Sequence, residues 1–246
     1  MKILSLQPSV SLVLKSLGRL DALVGCTRYC LDVLPELRLR GMAVVRDSWS
    51  SETAEIAELR PDLVIASVPY RQESLGAILR AGIPVLALAP HCLEEIYGDI
   101  RLIGAVVDAR IQAEEAVGAM RREIAEVACV AATAERKPLV YCEEWGKPLI
   151  HSQPWVRELV EAAGGIFLGE AGKVTTAEAV AEADPEVIAL AWCGAGGVHP
   201  GRAAEYARAH FGGGAQGACR CDPPGTICAL VNALFDGTTC FHPMNV

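Results

Sequence analysis

The stretch DARIQAEEAVGAMRREIAEVACVAATAERK, from Asp108 to Lys137, decides the fold. Its small and apolar residues recur every three or four positions, with charged residues between them, as on one face of an amphipathic helix. This stripe consists of Ala113, Val117, Met120, Ile124, Val127, Ala131 and Ala134. Asp108 is a suitable N-cap, and Pro138 ends the pattern. At 1.5 Å per residue the helix would be roughly 40 Å long, more than a crossover needs, so we predict a bridging helix between two bodies.

Composition and charge exclude several classes of protein. Of the 246 residues, 52% are hydrophobic, which is enough for a large core. The net charge of −8, without any Lys/Arg cluster, argues against a nucleic-acid partner. No apolar run approaches the roughly 20 residues that cross a bilayer, so we expect no membrane insertion. The first residues lack the apolar core of a signal peptide, which predicts a cytoplasmic location as given, or a periplasmic one if a signal peptide was removed.

Strand-like apolar runs alternate with helical patterns on both sides of the bridging stretch. Before it we predict strands over 2–6, 22–27, 43–45, 63–67 and 85–88, helices over 10–17, 51–59, 71–81 and 93–106, and a loop over 28–40. After it we predict strands over 139–142 and 166–168, a helix over 155–163, and a helix opened by a capping box of Thr175 and Glu178. This alternation is typical of the α/β class with parallel sheets. We therefore predict two Rossmann-like α/β lobes, over 1–107 and 138–246, joined by a bridging helix over 108–137.

A short internal match supports two similar lobes. The sequence AELRPDLV at 57–64 aligns with AEADPEVI at 181–188, an offset of 124 positions or about half the chain. A helix end, a proline, an acid and a strand are common in α/β proteins, so one match is weak alone. Together with the bridging stretch it favours two lobes over one continuous sheet.

Short motifs along nearly the whole chain occur in a characteristic order. The first half carries ILSLQPS (3–9), VGCT (24–27), DSWS (47–50), RPDLV (60–64), GIPV (82–85) and IYGDIR (96–101), and the second half carries YCEEWGKPL (141–149), SQPW (152–155) and AWCGAG (191–196). The order resembles the cobalamin- and siderophore-binding proteins of ABC importers, in particular a cobalamin-binding branch without a signal peptide. The resemblance implies two α/β lobes rigidly joined by one long helix, a ligand cleft between the lobes, and an ABC permease as a candidate partner.

Residues that directly follow predicted strands would line this cleft. A corrin ring is large and flat, so it needs broad apolar faces and a few polar groups for its amide edge. The predicted ligand-binding residues are Pro8, Ser9, Tyr29, Trp49, Tyr70, Glu143, Glu144, Trp145, Trp192 and Cys193. The alternative is that each tryptophan packs inside its own lobe. Because Glu143 and Glu144 are adjacent and no Ser/His/Asp set accompanies them, we predict a non-catalytic protein that binds a corrinoid such as cobalamin, or a related metal chelate, as its ligand.

The ten cysteines suggest a second function. They do not resemble a small disulfide framework, so we expect mainly free thiols, with Cys129 and Cys228 as core fillers. Soft-ligand pairs occur as Cys26-x3-Cys30, Cys193 with His199, and Cys219-x-Cys221. We predict no dedicated metal site, but Cys30, Cys193, His151 and His199 are candidates for ligating a metal or the cobalt of a corrinoid. The alternative function is a cytosolic metal- or metalloid-sequestering protein that uses cleft cysteines.

Overall fold

The computed structural model describes residues 1–47, 50 and 52–191, and the backbone of 218–220. The chain divides into two compact units. Unit 1 consists of Met1–Pro90 and Glu94–Val117, and unit 2 consists of His91–Leu93 and Gly118–Val246. Each unit contains one five-stranded sheet with helices between its strands, which confirms the α/β class and the two lobes.

Unit 1 is a parallel, doubly wound sheet. Its strands are β1 (Ile3–Ser5), β2 (Leu23–Thr27), β3 (Ala43–Val45), β4 (Leu63–Ser67) and β5 (Val85–Leu88), in the order β3-β2-β1-β4-β5. Its helices are α1 (Pro8–Ser16), α2 (Arg28–Val33), α3 (Glu36–Leu39), α4 (Thr53–Glu58), α5 (Gln72–Arg80) and α6 (Leu93–Val106), with a short 3-10 turn at Leu20–Ala22. Strands β1 and β4 are almost wholly buried because helices cover both faces of a parallel sheet.

Unit 2 has a mixed sheet. After α7 (Arg110–Ala131) come β6 (Leu139–Gly146), β7 (Leu149–His151), α8 (Pro154–Ala162), β8 (Ile166–Phe167), α9 (Ala177–Ala183), β9 (Val187–Leu190) and β10 (Ala218–Arg220). The order is β10-β9-β6-β7, and β8 pairs with the first residues of β6. Strands β9 and β10 run parallel to β6, whereas β7 is antiparallel to it.

Helix α7 is shorter than the predicted helix over 108–137. Asp108 has a φ of +55°, in the left-handed region, whereas an N-cap residue is normally extended, so its predicted capping role is wrong. At the other end, the Thr133 hydroxyl donates to the Val130 carbonyl at 2.7 Å as the last turn tightens. The boundary between the two units falls inside α7, between Val117 and Gly118. The role of α7 as a bridge and the two predicted domain boundaries, at 107/108 and 137/138, remain predictions.

The stripe on α7 is buried only in part. Ala113, Val117 and Met120 are each 1% exposed, whereas Ala134 lies beyond the helix and is exposed. Cys129 is also exposed, so its predicted role as a core filler is wrong. Position 129 falls on the charged side of the helix, away from the stripe, which is the physical reason.

Three other local predictions need correction. The expected loop over 28–40 forms α2 and α3 instead. The strand predicted over 139–142 continues to Gly146 and pairs with β7, a strand that we did not predict. Helix α9 is capped by Thr176 and not by Thr175, because the Thr176 hydroxyl accepts a hydrogen bond from the Ala179 amide at 3.2 Å. Helix α4 is opened by a capping box of Glu52 and Glu55, while the predicted cap, Ser51, lies outside the described residues.

Candidate functional site

The loops after β1 and β4 lie side by side in unit 1. The strand order reverses direction between these two strands, and open α/β sheets bind ligands at such a switch point, beyond the carboxyl ends of the strands. The Gln7 side-chain amide donates to the carbonyl of Pro69 at 2.7 Å and so connects the two loops. The predicted site residues Pro8 and Ser9, which begin α1, and Tyr70, in the loop after β4, are half-buried. The structure therefore brings these three residues to the same edge of the sheet.

A cation–aromatic pair follows β2 at the same edge. The Arg28 guanidinium donates to the Tyr29 hydroxyl at 2.7 Å and lies 4.7 Å from the centre of its ring. This hydrogen bond raises the pKa of Arg28, so the cation is held beside the phenol. The sequence predicted Tyr29 as a ligand-binding residue, but it did not single out Arg28 or Gln7. Their positions directly after β2 and β1 are the signal that could have found them.

Cys30 lies beneath this edge. It is in the first turn of α2 and is fully buried, with its sulfur 3.4 Å from the Thr27 hydroxyl. Like Cys26, Cys92, Cys129 and Cys142, it forms no disulfide bond. Among the residues that the structure describes, no three His, Cys, Asp or Glu side chains come close enough together to hold a metal ion. Cys30 therefore belongs to the interior of unit 1, and its role as a ligand to a bound metal remains a prediction.

In unit 2, the two adjacent glutamates lie in different environments. Glu143 is fully buried in β6 and accepts a hydrogen bond from the Tyr141 hydroxyl at 3.0 Å. Glu144 is half-buried, because successive residues of a strand point to opposite faces of the sheet. Of the two predicted ligand-binding acids, Glu144 is thus the one nearer to the surface of unit 2.

His151 is an interior residue of unit 2. It pairs with Glu143 across β6 and β7, and its ring packs edge-on against Tyr141 at 5.3 Å between centres. A side-chain carbon added at Gly169 would lie 2.4 Å from its Nε2 atom, so the ring is tightly enclosed. Its Nδ1 atom has no hydrogen-bond partner among the residues that the structure describes, and burial lowers the pKa of the imidazole. This enclosure argues against His151 as a ligand to the cobalt of a bound corrinoid.

Trp145 and Trp155 differ sharply in exposure. Trp145 is 48% exposed near the end of β6, and its indole N–H donates to the Lys147 carbonyl at 2.9 Å. Trp155 is 2% exposed in the first turn of α8. The indole face of Trp145 is therefore open to a ligand, whereas Trp155 packs inside unit 2.

Several predicted site residues lie outside the described part of the chain. These are Trp49, Trp192, Cys193 and His199, together with Cys221 and Cys228. Their roles stay predictions, and so does the alternative of a metal-sequestering protein that uses cleft cysteines. Over the described ranges, no helix combines the length and the apolar character needed to cross a membrane.

A known protein family matches the chain in sequence, and several solved structures share its fold. Residues 3–206 match the family model described as periplasmic binding protein. The fold is shared with the periplasmic vitamin B12 binding protein BtuF of Vibrio cholerae (21% identity, 97% of this chain and 95% of that chain, TM-score 0.69). It is also shared with a periplasmic heme binding protein from Pseudomonas aeruginosa (20% identity, 96% and 92%, TM-score 0.76) and with the petrobactin-binding protein YclQ from Bacillus subtilis (17% identity, 97% and 92%, TM-score 0.71). No protein of curated function matches the chain in sequence. The resemblance that the motifs indicated is thereby confirmed.

Proposed function

The chain belongs to the periplasmic binding protein family, and on this premise we propose that it binds a corrinoid, or a related planar metal chelate, as its ligand. Members of the family are substrate-binding proteins and not enzymes, and they work with ABC permeases. Ligand binding without catalysis therefore follows from the family, whereas the identity of the ligand is what we propose. Delivery of that ligand to an ABC permease is part of the same proposal.

The observation that carries the proposal is the indole of Trp145. Large aromatic side chains are normally buried, and one left nearly half exposed loses the free energy of burying its apolar face. Its N–H group is already satisfied by the Lys147 carbonyl, so the ring is held in place and offers an apolar surface without an unmet polar group. A flat macrocycle is the class of ligand that such a surface suits.

Polar and aromatic groups at the carboxyl edge of the unit 1 sheet also suit a ligand of this class. Tyr29 and Tyr70 combine a ring face with a hydroxyl group, and Gln7 connects the turn before Pro8 and Ser9 with the loop that carries Tyr70. Such groups suit the amide side chains around a corrin ring, which both donate and accept hydrogen bonds. The likeness of the fold to a vitamin B12 binding protein supports this choice of ligand.

Haem is a second candidate, and the pair of Arg28 and Tyr29 favours it. A phenolic oxygen is a known axial ligand to haem iron, and a guanidinium can bind a carboxylate through two parallel hydrogen bonds. Both groups lie together after β2. Several proteins that share the fold bind haem, which supports the same alternative.

Separate titrations with hydroxocobalamin and with hemin distinguish the two ligands. For a corrinoid-binding protein we expect a shift of the cobalamin absorption bands that saturates at one equivalent, and weaker binding by Trp145→Ala. For a haem-binding protein we expect hemin to bind instead, with an absorption spectrum that changes in Tyr29→Phe. The proposal is overturned if the folded protein binds neither compound.

A further inference from the structure

A β-bulge in β6 determines which face of the unit 2 sheet carries Trp145. In the register of β6 and β7, Glu143 is opposite His151, whereas Trp145 is opposite Ile150. Glu144 is therefore an extra residue in β6. Because His151 and Ile150 are consecutive in β7, they point to opposite faces, and their partners in β6 do the same. Without the bulge, Glu143 and Trp145 would share one face, as residues two apart in a strand do.

The face that carries Glu143 is the interior of unit 2. Tyr141 lies two residues before Glu143 in β6, and both side chains are fully buried. Leu149 lies two residues before His151 in β7 and packs against the same cluster as Tyr141. The bulge therefore turns Trp145 away from this interior and onto the opposite face of the sheet.

Ile150 has a second apolar neighbour on the opposite face. It forms an antiparallel bridge with Val174, in the segment that follows β8. Two backbone hydrogen bonds of 2.9 and 3.0 Å flank this bridge, and they join Thr175 to Leu149 and His151 to Lys173. The pair is thus of the non-hydrogen-bonded kind, in which facing side chains come closest. Trp145, Ile150 and Val174 form one continuous row, which we call the apolar row.

The apolar row is open to solvent at both ends. Trp145 is 48% and Val174 is 64% exposed, and Ile150 between them is half-buried. Neighbouring strands lie about 4.8 Å apart, so the three side chains extend over about 10 Å. This length is comparable to the width of a tetrapyrrole ring. Burying the apolar row under a flat ligand would recover the free energy that its exposure loses.

We propose that the apolar row lines the ligand site, so that Ile150 and Val174 contact the same face of a planar tetrapyrrole that stacks on Trp145. This inference rests on the proposed function and adds two binding residues to it. Charge complementarity supports the same ligand class. The Lys147 carbonyl accepts the indole N–H of Trp145 at 2.9 Å, so this exposed lysine lies at the edge of the ring. Its ammonium group suits an anionic group at the rim of the ligand, such as the phosphodiester of a cobalamin or a carboxylate of haem.

A charge placed in the apolar row tests the proposal. Val174→Glu should lower the affinity at least about tenfold, because the bound ligand would cover an unpaired carboxylate. Val130→Glu is the matched control, since Val130 is 74% exposed on the last turn of α7 and should leave the affinity unchanged. Calorimetric titration uses hydroxocobalamin or hemin, whichever the wild type binds. If Val174→Glu binds as tightly as Val130→Glu, the apolar row does not line the site and the inference is overturned.

The lysine at the edge of Trp145 has its own control. Lys147→Gln should weaken binding about threefold, as the loss of an exposed ion pair does. Lys173 is also exposed, but it is paired with His151 and so belongs to the other face of the sheet. Lys173→Gln should therefore bind like the wild type. Equal affinities of the two lysine variants would contradict the anionic contact.

Methyl NMR signals of the wild-type protein test the contacts without any introduced charge. One equivalent of a diamagnetic ligand, hydroxocobalamin or gallium protoporphyrin, should shift the methyl resonances of Ile150 and Val174 and leave those of Val130 in place. Resonances of Ile150 and Val174 that stay unchanged while the ligand binds would overturn this inference and leave the proposed function intact. If the folded wild type binds neither class of ligand, the proposed function and this inference are both wrong.

Discussion

Asp62 and Glu186, 124 positions apart, make the same two hydrogen bonds in their respective sheets. Asp62 donates its backbone N–H to the Lys2 carbonyl at 2.8 Å, and its carboxylate accepts from the Lys2 N–H at 2.6 Å. Glu186 donates to the Leu139 carbonyl at 2.9 Å, and its carboxylate accepts from the Leu139 N–H at 3.2 Å. Each acid therefore joins two adjacent parallel strands at their amino ends, β1 with β4 in unit 1 and β6 with β9 in unit 2.

The turns that precede these acids are also alike. Arg60 and Asp184, again 124 positions apart, have φ values of +47° and +46°, in the left-handed region. A proline follows each of them, and then the acid and the strand. The match between 57–64 and 181–188 is thus a repeated structural unit that ends a helix and starts a central strand. This observation supports the interpretation that the two units share a similar α/β architecture.

Trp145 provides the first prediction on binding. Trp145→Ala should weaken corrinoid binding by about 2 kcal/mol, roughly 30-fold, because it removes a large apolar contact from the proposed site. Trp155→Phe is the matched control, since Trp155 is buried inside unit 2 and should not touch the ligand. Calorimetric titration with hydroxocobalamin measures both affinities. If the two folded variants bind equally well, Trp145 does not line the site.

The contact between α6 and α7 yields a prediction on stability. A side-chain carbon added at Gly104 would lie 2.5 Å from the Cβ atom of Ala113, which is closer than packed atoms allow. Gly104→Ala should therefore force the helices apart and lower the free energy of unfolding by about 2 kcal/mol. The change is measured by urea denaturation.

Gly98 on the same helix is the control for Gly104. A carbon added there has no atom within 4 Å, so Gly98→Ala should gain only from the higher helix propensity of alanine, about 1 kcal/mol. The two substitutions are chemically identical and differ in their surroundings. If both variants shift in the same direction, close packing at Gly104 does not limit the contact.

The sequence predicted those elements whose apolar pattern is short and continuous or regularly helical. Strands β4 and β5 and helix α6 have the predicted bounds, because short apolar runs and a regular helical stripe leave few alternatives. The sequence did not predict helices α2 and α3, because Pro35 interrupts the apolar stripe formed by Cys30, Leu34 and Leu37. It also failed for β7, which has three residues and is held in place by pairing with β6 on one side and by a bridge to Val174 on the other.

The candidate site was predictable only in outline. Residues that follow strands, such as Tyr29 and Tyr70, could be found because parallel strands end at one edge of a sheet. The contact of Gln7 with Pro69 could not be found, because it joins residues 62 positions apart in two loops. Similarly, hydrophobicity alone does not show that Glu143 is buried, since its place in β6 depends on the Tyr141 hydroxyl.

Asp99 on α6 leads to a prediction on pH. Burial, with a smaller effect of Glu95, raises the pKa of its carboxyl from 3.8 to about 6. Because the folded state holds this proton more tightly, Asp99 stabilises the fold below about pH 4 and loses that contribution as the pH rises through about 6. Asp99→Asn should therefore be more stable than the wild type at pH 7, by about 1 kcal/mol after allowance for solvent screening. Denaturation at pH 7 and at pH 4 measures the gain.

A second variant, at Glu95, separates the two causes of the raised pKa of Asp99. Glu95→Gln removes the neighbouring charge but not the burial, so it should lower the pKa of Asp99 only slightly. The stability gain of Asp99→Asn at pH 7 should be much smaller at pH 4, where the carboxyl of Asp99 is protonated in the folded state. A gain of the same size at both pH values would mean that the amide makes new contacts and that the carboxyl does not titrate as described.

His151 in unit 2 should have the opposite effect on the same pH range. Burial lowers the pKa of its imidazole below the ordinary value of 6.5, so the unfolded chain takes up this proton more readily than the folded one. Its contribution to stability is then fully present above about pH 6.5 and is lost as the pH falls towards the folded pKa. His151→Gln should be less stable overall, because it leaves the space beside Tyr141 and Phe167 poorly filled, but its stability should fall less steeply below pH 6.5.

The measurement for His151 is best made in an Asp99→Asn background. As the pH falls, the contribution of Asp99 to the stability of the fold increases over the range in which that of His151 decreases. The two contributions would therefore partly cancel in the wild type. In Asp99→Asn protein, the free energy of unfolding should decline between about pH 6.5 and pH 5, and adding His151→Gln should flatten that decline. The packing cost of the glutamine does not depend on pH, so the slope and not the absolute stability decides. Identical slopes with and without His151→Gln would show that the imidazole does not take up a proton on unfolding in this range.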